Sequence, residues 1–185
     1  MLSGIVDNLL SYEGVDSTDV GVRKASLLDL PFVFELLLEG AFFGSFSEAF
    51  MLPTGTFRLL YMVFKLWFNQ YTLFRKNYHP AALLMLIKGK KEIGFLYLEE
   101  IMVREKSNKH LVLSLMSVMK SYRNQKIGTK VVGRIFDSMP VGATMVAGCT
   151  KYSSVMQKIL RKLKFKAVKN KNIGMIEFTK TKLQV

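Results

Sequence analysis

The chain has 185 residues, half of them hydrophobic, with one cysteine and a formal net charge of +13. That length and apolar share are enough for one compact core and exclude a disordered polyelectrolyte. The lone Cys149 excludes an internal disulfide framework and fits a reducing, cytoplasmic compartment. The charge is unevenly spread: residues 1–87 hold six Lys/Arg against eight Asp/Glu, a net of −2, whereas residues 88–185 hold 21 against six, a net of +15.

Residues 1–12 lack the basic start and continuous apolar stretch of a secretory signal, so 1–19 are read as an N-terminal extension of a single domain spanning 1–185. A strand is expected over 20–24. Ser26, three residues before Asp29, then opens a helix over 28–38. A second helix is expected over 56–76. Its large residues Phe57, Leu60, Tyr61, Phe64, Trp67, Phe68 and Tyr71 recur at three- and four-residue steps, and such a stripe is expected to face the core. An acyl-chain groove or lipid-facing surface is the alternative. Arg58, Lys65, Asn69 and Gln70 interrupt this apolar block, so no transmembrane segment is expected.

Strands over 82–87 and 92–103 flank the turn Lys88-Gly89-Lys90-Lys91 and form an antiparallel hairpin. A strand over 111–119 follows and runs into a basic turn. The next helix, 127–138, has Ile127, Val131, Ile135 and Phe136 on one side and Pro140 beyond its end. A short strand over 145–149 and a helix over 153–165 complete the trace. Apolar strand, polar turn and helix start are the ingredients of a phosphate seat, because a helix N-terminus offers outward N–H groups and a positive dipole end.

The turn segment, Val118-Met119-Lys120-Ser121-Tyr122-Arg123-Asn124-Gln125-Lys126-Ile127-Gly128-Thr129, resembles the acyl-CoA signature of the GNAT superfamily of N-acyltransferases, Val-x-Pro-x-Tyr-Arg-x-x-Gly-x-Gly-Thr/Ala. Lys120 replaces the common Pro and Lys126 the first Gly. A side chain at 126 is tolerated if φ stays negative, and its ammonium could instead serve a phosphate. The segment from Ser153 to Phe165 is similar to the family's Asn-x-x-Ala-x-x-Leu-Tyr-x-x-Leu-Gly-Phe, with Leu160 at the Tyr and Lys164 at the Gly. The resemblance implies an α/β fold with a mixed, mostly antiparallel sheet that splays at a bulged cofactor strand and is flanked by helices. It also implies coenzyme A or acetyl-CoA held by Val118, Met119, Lys120, Arg123, Asn124, Gln125, Lys126, Ile127, Gly128 and Thr129.

The activity implied is N-acetyl transfer by direct attack of an amine, with backbone N–H around 118–120 polarising the carbonyl. The family's tyrosine acid has no counterpart at Leu160, and Tyr152 is the nearest substitute. Glu99 and Glu100 are candidate bases, only one of which strand alternation can aim at the acceptor. Ser114 and Ser117 are possible proton relays, His110 reads as a surface residue, and no metal site is expected. Two alternatives stand beside acetyl transfer: a catalytically degenerate binding or inhibitor module, and an acyltransferase using a longer acyl donor. The expected partners are an amine acceptor (a protein amine, a small amine or an aminoacyl-tRNA), an RNA or acidic protein along the acid-free residues 151–171, and a second copy of the chain as a homodimer.

Overall fold

The computed structural model describes residues 1–11, 19–44, 53–69, 80–102, 109–170 and 175–183. The elements run α1 (Leu2–Leu10), β1 (Val20–Lys24), a 3₁₀ turn at Leu27–Asp29, α2 (Leu30–Phe42), α3 (Pro53–Asn69), β2 (Ala81–Lys88), β3 (Lys91–Met102), β4 (Lys109–Val118), a 3₁₀ turn at Lys120–Tyr122, α4 (Ile127–Asp137), β5 (Thr144–Thr150), α5 (Ser154–Lys162), β6 (Lys166–Asn170) and β7 (Met175–Thr181). The seven strands form one sheet in the order β1-β2-β3-β4-β5-β7-β6. All neighbours are antiparallel except β4 and β5, which α4 joins as a parallel pair. Three elements, α1, β6 and β7, are additional to the sequence reading. The basic, polar β6 and the short β7 lack the continuous apolar run that marks buried strands.

Alternation along the central strands feeds a core on each face. Leu96, Leu98, Leu111 and Leu113 join Ile5, Ile135 and Leu160 under α1, α4 and α5. Phe95, Tyr97, Leu83 and Met85 pack instead with Val33, Leu37, Leu59 and Val63 under α2 and α3. Strands fully covered on both sides must be apolar almost throughout, which is why β2 reads Ala-Ala-Leu-Leu-Met-Leu-Ile.

The expected stripe on α3 points the other way. Leu59, Val63 and Leu66 face the sheet, whereas Phe57, Leu60, Tyr61, Phe64 and Phe68 are exposed. Periodicity reveals that a helix is two-sided, and here both sides are apolar, so the bulkier side was not the buried one. Tyr71, with the expected end of that helix, lies outside the described residues. No helix among the described residues is long and apolar enough to cross a membrane.

At the start of α2 the buried Asp29 carboxylate accepts both Arg23 guanidinium nitrogens at 2.6 Å, the Ser26 amide at 2.6 Å and the Ser26 hydroxyl at 2.8 Å. Burial opposes the charge, but Arg23 and Ser26 hold the Asp29 carboxyl below its ordinary value. At the other end of the chain, α5 closes in a Schellman turn: Phe165 N–H reaches Leu160 O and Lys164 N–H reaches Arg161 O, both at 2.9 Å. Lys164 adopts φ +63° there, the conformation that the glycine of the family pattern takes freely.

Candidate active site

The site is built on the one parallel strand pair among the described residues. Pairing of β4 with β5 covers His110–Leu113 against Thr144–Ala147 and then stops. Both strands continue: β4 stays bonded to β3 as far as Val118 opposite Gly94, and β5 stays bonded to β7 as far as Thr150. Ser114–Val118 and Gly148–Thr150 therefore face each other across an open slot. Splaying has a local cause in β4. Leu98 pairs with Leu113 and Tyr97 with Leu115, so Ser114 is an extra residue, a bulge. Its consequence shows in the packing, where Leu113 belongs to the α4 side and Leu115, two residues on, to the α2 side.

The bulge turns Ser114 toward Glu99, and the serine hydroxyl donates a short hydrogen bond to Glu99 Oε2. Phe95, Tyr97 and Glu99 occupy one face of β3, and Glu100 occupies the other. Glu100 is buried, and its Oε2 accepts the Leu2 amide at 2.8 Å. Of the two expected bases, Glu100 thus anchors α1 on the opposite face of the sheet, and Glu99 remains beside the slot. His110 sits at the far, paired end of β4.

Beyond the slot the chain crosses its top. Met119 N–H is taken by Ile93 O at 2.8 Å, so this amide is not free to polarise a carbonyl as expected of 118–120. Arg123 clamps the turn: its Nε donates to Val118 O at 2.9 Å, and its outer nitrogen meets Glu39 of α2 at 3.0 Å. Gln125 accepts from Lys88 Nζ at 3.0 Å and donates to Ser121 O at 3.3 Å. Both residues thereby hold the loop shape.

Asn124 and Lys126 have φ +65° and +60°. The condition set for a side chain at 126, a negative φ, is not met: the turn retains the glycine-type conformation although a lysine stands there. Lys126 caps α4, and the first helical bond runs from Lys130 N–H to Lys126 O at 3.0 Å. The amides of Ile127, Gly128 and Thr129 are consequently left without a partner inside the helix, as donors for an anion. Gly128 sits close under α5, where an added Cβ would lie 2.8 Å from Ile159 Cδ1, a side-chain tip that would have to shift to admit it.

Two further features border the slot. A cavity of about 500 Å³ between α2 and the turn is lined by Phe32, Glu35, Leu36, Glu39, Met119, Lys120 and Ser121. Its acidic wall was not foreseen, because nothing in the sequence spacing links α2 to this turn. Tyr152, just past β5, is half-exposed, with Lys151 Nζ 4.7 Å from its ring centroid and its ring against Gly44 at the end of α2. Cys149 is buried, and burial pushes its thiol up to about 11, so beside the slot it stays neutral and unreactive. Among the described residues no group of three metal-ligating side chains converges.

No family model matches this sequence, and no curated protein matches it. Solved structures do. The PaiA N-acetyltransferase of Thermoplasma acidophilum, in complex with coenzyme A, superposes with a TM-score of 0.64 at 15% identity, over 88% of this chain and 99% of that one. A GNAT-family acetyltransferase of Streptococcus agalactiae gives 0.67 at 13% identity, over 89% and 96%. The microcin C7 self-immunity acetyltransferase MccE, in complex with acetyl-CoA and AMP, gives 0.61 at 12% identity, over 94% and 98%. The chain has the fold of the GNAT acyltransferases.

Proposed function

We propose that the chain is an N-acetyltransferase that uses acetyl-CoA and delivers the acetyl group to an amine in the β4–β5 slot. The observation that carries this reading is the parting of β4 from β5 at Leu113 and Ala147, directly ahead of a helix whose first three amides are free. The residues fit such a cofactor. Free strand edges at Ser114–Val118 suit an amide-containing arm, the amides of Ile127–Thr129 suit a pyrophosphate, and Lys126 adds a cation at the helix cap. That similar folds are solved with coenzyme A or acetyl-CoA supports the same choice.

Bound acetyl-CoA supplies an activated thioester carbonyl. The chain's own residues have three tasks. The open edges of the slot fix the orientation of the reactants, and orientation alone can contribute roughly 7–11 kcal/mol. Glu99, reached directly or through the Ser114 hydroxyl, accepts a proton from the incoming ammonium, work worth roughly 10²–10⁴ in rate. Tyr152 offers a phenolic proton at the β5 end of the slot.

Thr129→Glu tests the cofactor seat. A carboxylate in the first turn of α4 favours the helix, so the free protein should melt no lower, yet it occupies the place of a phosphate. Acetyl-CoA is expected to raise the melting temperature of the native protein and to leave that of Thr129→Glu unchanged. An equal rise in both proteins would put the cofactor elsewhere.

A further inference from the structure

Five large apolar side chains stand on the outer face of α3, although its inner face already fills the core. Phe57 is 77% exposed, Tyr61 69%, Phe64 49% and Phe68 51%, with Leu60 beside them. The rings lie against one another along the stripe: Phe64 stacks on Phe68 with ring centroids 6.3 Å apart and lies 5.9 Å from Trp67. Leu30 at the start of α2 joins Phe57, Leu60, Tyr61 and Phe64 around an apolar hollow of about 420 Å³. A surface of this kind on a charged protein marks a partner rather than solvent.

The spacing identifies the partner. Residues 57, 61, 64 and 68 are separated by four, three and four positions, close on average to the roughly 3.6 residues of a helical turn, so the four side chains form one straight stripe along the helix. That series is also palindromic. A two-fold axis through the helix midpoint, running a second α3 antiparallel to the first, sets Phe57 against Phe68 and Tyr61 against Phe64, twice each. Leu60 then meets Lys65, whose aliphatic stem can cover it while its ammonium stays in water. The hollow beside Phe57 is where the mate's Phe68 arrives. An isologous interface requires this self-complementarity of one patch, and a lipid surface does not.

We infer that α3 forms a homodimer with a second copy of this chain through an antiparallel seam of Phe57, Tyr61, Phe64 and Phe68. Area is consistent with this. A fully buried aromatic contributes roughly 150–250 Å², so the half-exposed stripe with Leu60 offers on the order of 500 Å² per protomer. That is the apolar centre of a standard interface of roughly 800 Å² per partner, the remainder coming from its rim.

Sedimentation equilibrium tests the seam. The native chain should sediment at twice its 21.1 kDa mass. Tyr61→Glu and Phe64→Lys, both at exposed positions, should each sediment as folded monomers with unchanged circular dichroism. Their equimolar mixture should return to dimer mass, because the antiparallel register sets the new Glu against the new Lys at one contact and leaves the native pair at the other. A monomeric native protein overturns the inference, as does a dimer that survives both substitutions, a mixture that stays monomeric, or a monomer that cosediments with phosphatidylcholine vesicles through this stripe.

Discussion

Two lysines occupy backbone conformations made for glycine. Lys126 at the cap of α4 and Lys164 at the close of α5 both have φ near +60°. The left-handed region costs an L-residue about 1–2 kcal/mol, partly offset by the smaller unfolded-state freedom of a lysine. Lys126→Gly and Lys164→Gly are each expected to raise stability by about 0.5–1 kcal/mol in urea titrations, and a loss in either would mean that the side chain holds the turn. They should differ in function: Lys126→Gly removes a cation from the cofactor seat and weakens coenzyme A, whereas Lys164→Gly, behind α5, leaves affinity unchanged. Asp29 shows the opposite economy, with one carboxylate satisfying four donors. Its folded-state pKa is depressed, so its contribution is complete above the ordinary carboxylate value of ~3.9 and disappears as pH falls through the folded value. Asp29→Asn should cost on the order of 2 kcal/mol at neutral pH, discounted for the half-buried Arg23, and the gap from the native protein should close below about pH 4. A constant gap down to pH 3 would assign the cost to packing.

Among elements, the β3–β4 pair controls the slot. Gly94 lies opposite Val118, where an added Cβ would collide with Ser117 O and lie 3.1 Å from Val118 Cα. Backbone cannot yield as a side-chain tip can. Gly94→Ala is therefore expected to cost about 1–3 kcal/mol in thermal or urea unfolding and to move the cofactor edge of β4, raising the Kd for coenzyme A. Native-like affinity in that variant would separate slot geometry from this strand contact. The same elements show what a sequence can reveal. The order of strand, basic turn and helix at 118–129 was legible because anion binding needs those residue types in that succession. The choice between Glu99 and Glu100 was not, since alternation says that they differ and only α1, an element with no recognised signal, says which one is occupied. The direction of α3 was hidden for a related reason. Leu59, Val63 and Leu66 are ordinary core residues, and nothing local ranks them below a neighbouring row of aromatics.

At the scale of the whole molecule, two surfaces obey different physics. The proposed α3 seam is apolar and belongs to the half of net −2, whereas the proposed cofactor loop lies in the half of net +15. Much of that field arises away from the loop: Lys158, Lys162, Lys164 and Lys166 are exposed along α5 and the start of β6, and no ion pair engages them among the described residues. Coenzyme A is a polyanion, so such charges draw it in before any contact forms, over a range set by a Debye length of roughly 10 Å at 0.1 M salt. Steering acts on association, and contact acts on dissociation. Replacing Lys158, Lys162 and Lys166 together with Gln should lower the stopped-flow association rate for coenzyme A by about two- to threefold at low salt. It should leave the dissociation rate unchanged and lose its effect near 0.5 M salt, where the Debye length is shorter than the distance to be spanned. A faster dissociation would mean that α5 touches the cofactor directly. The inferred dimer, centred on an apolar seam, should keep its sedimentation mass across the same salt series, so one titration separates the two surfaces.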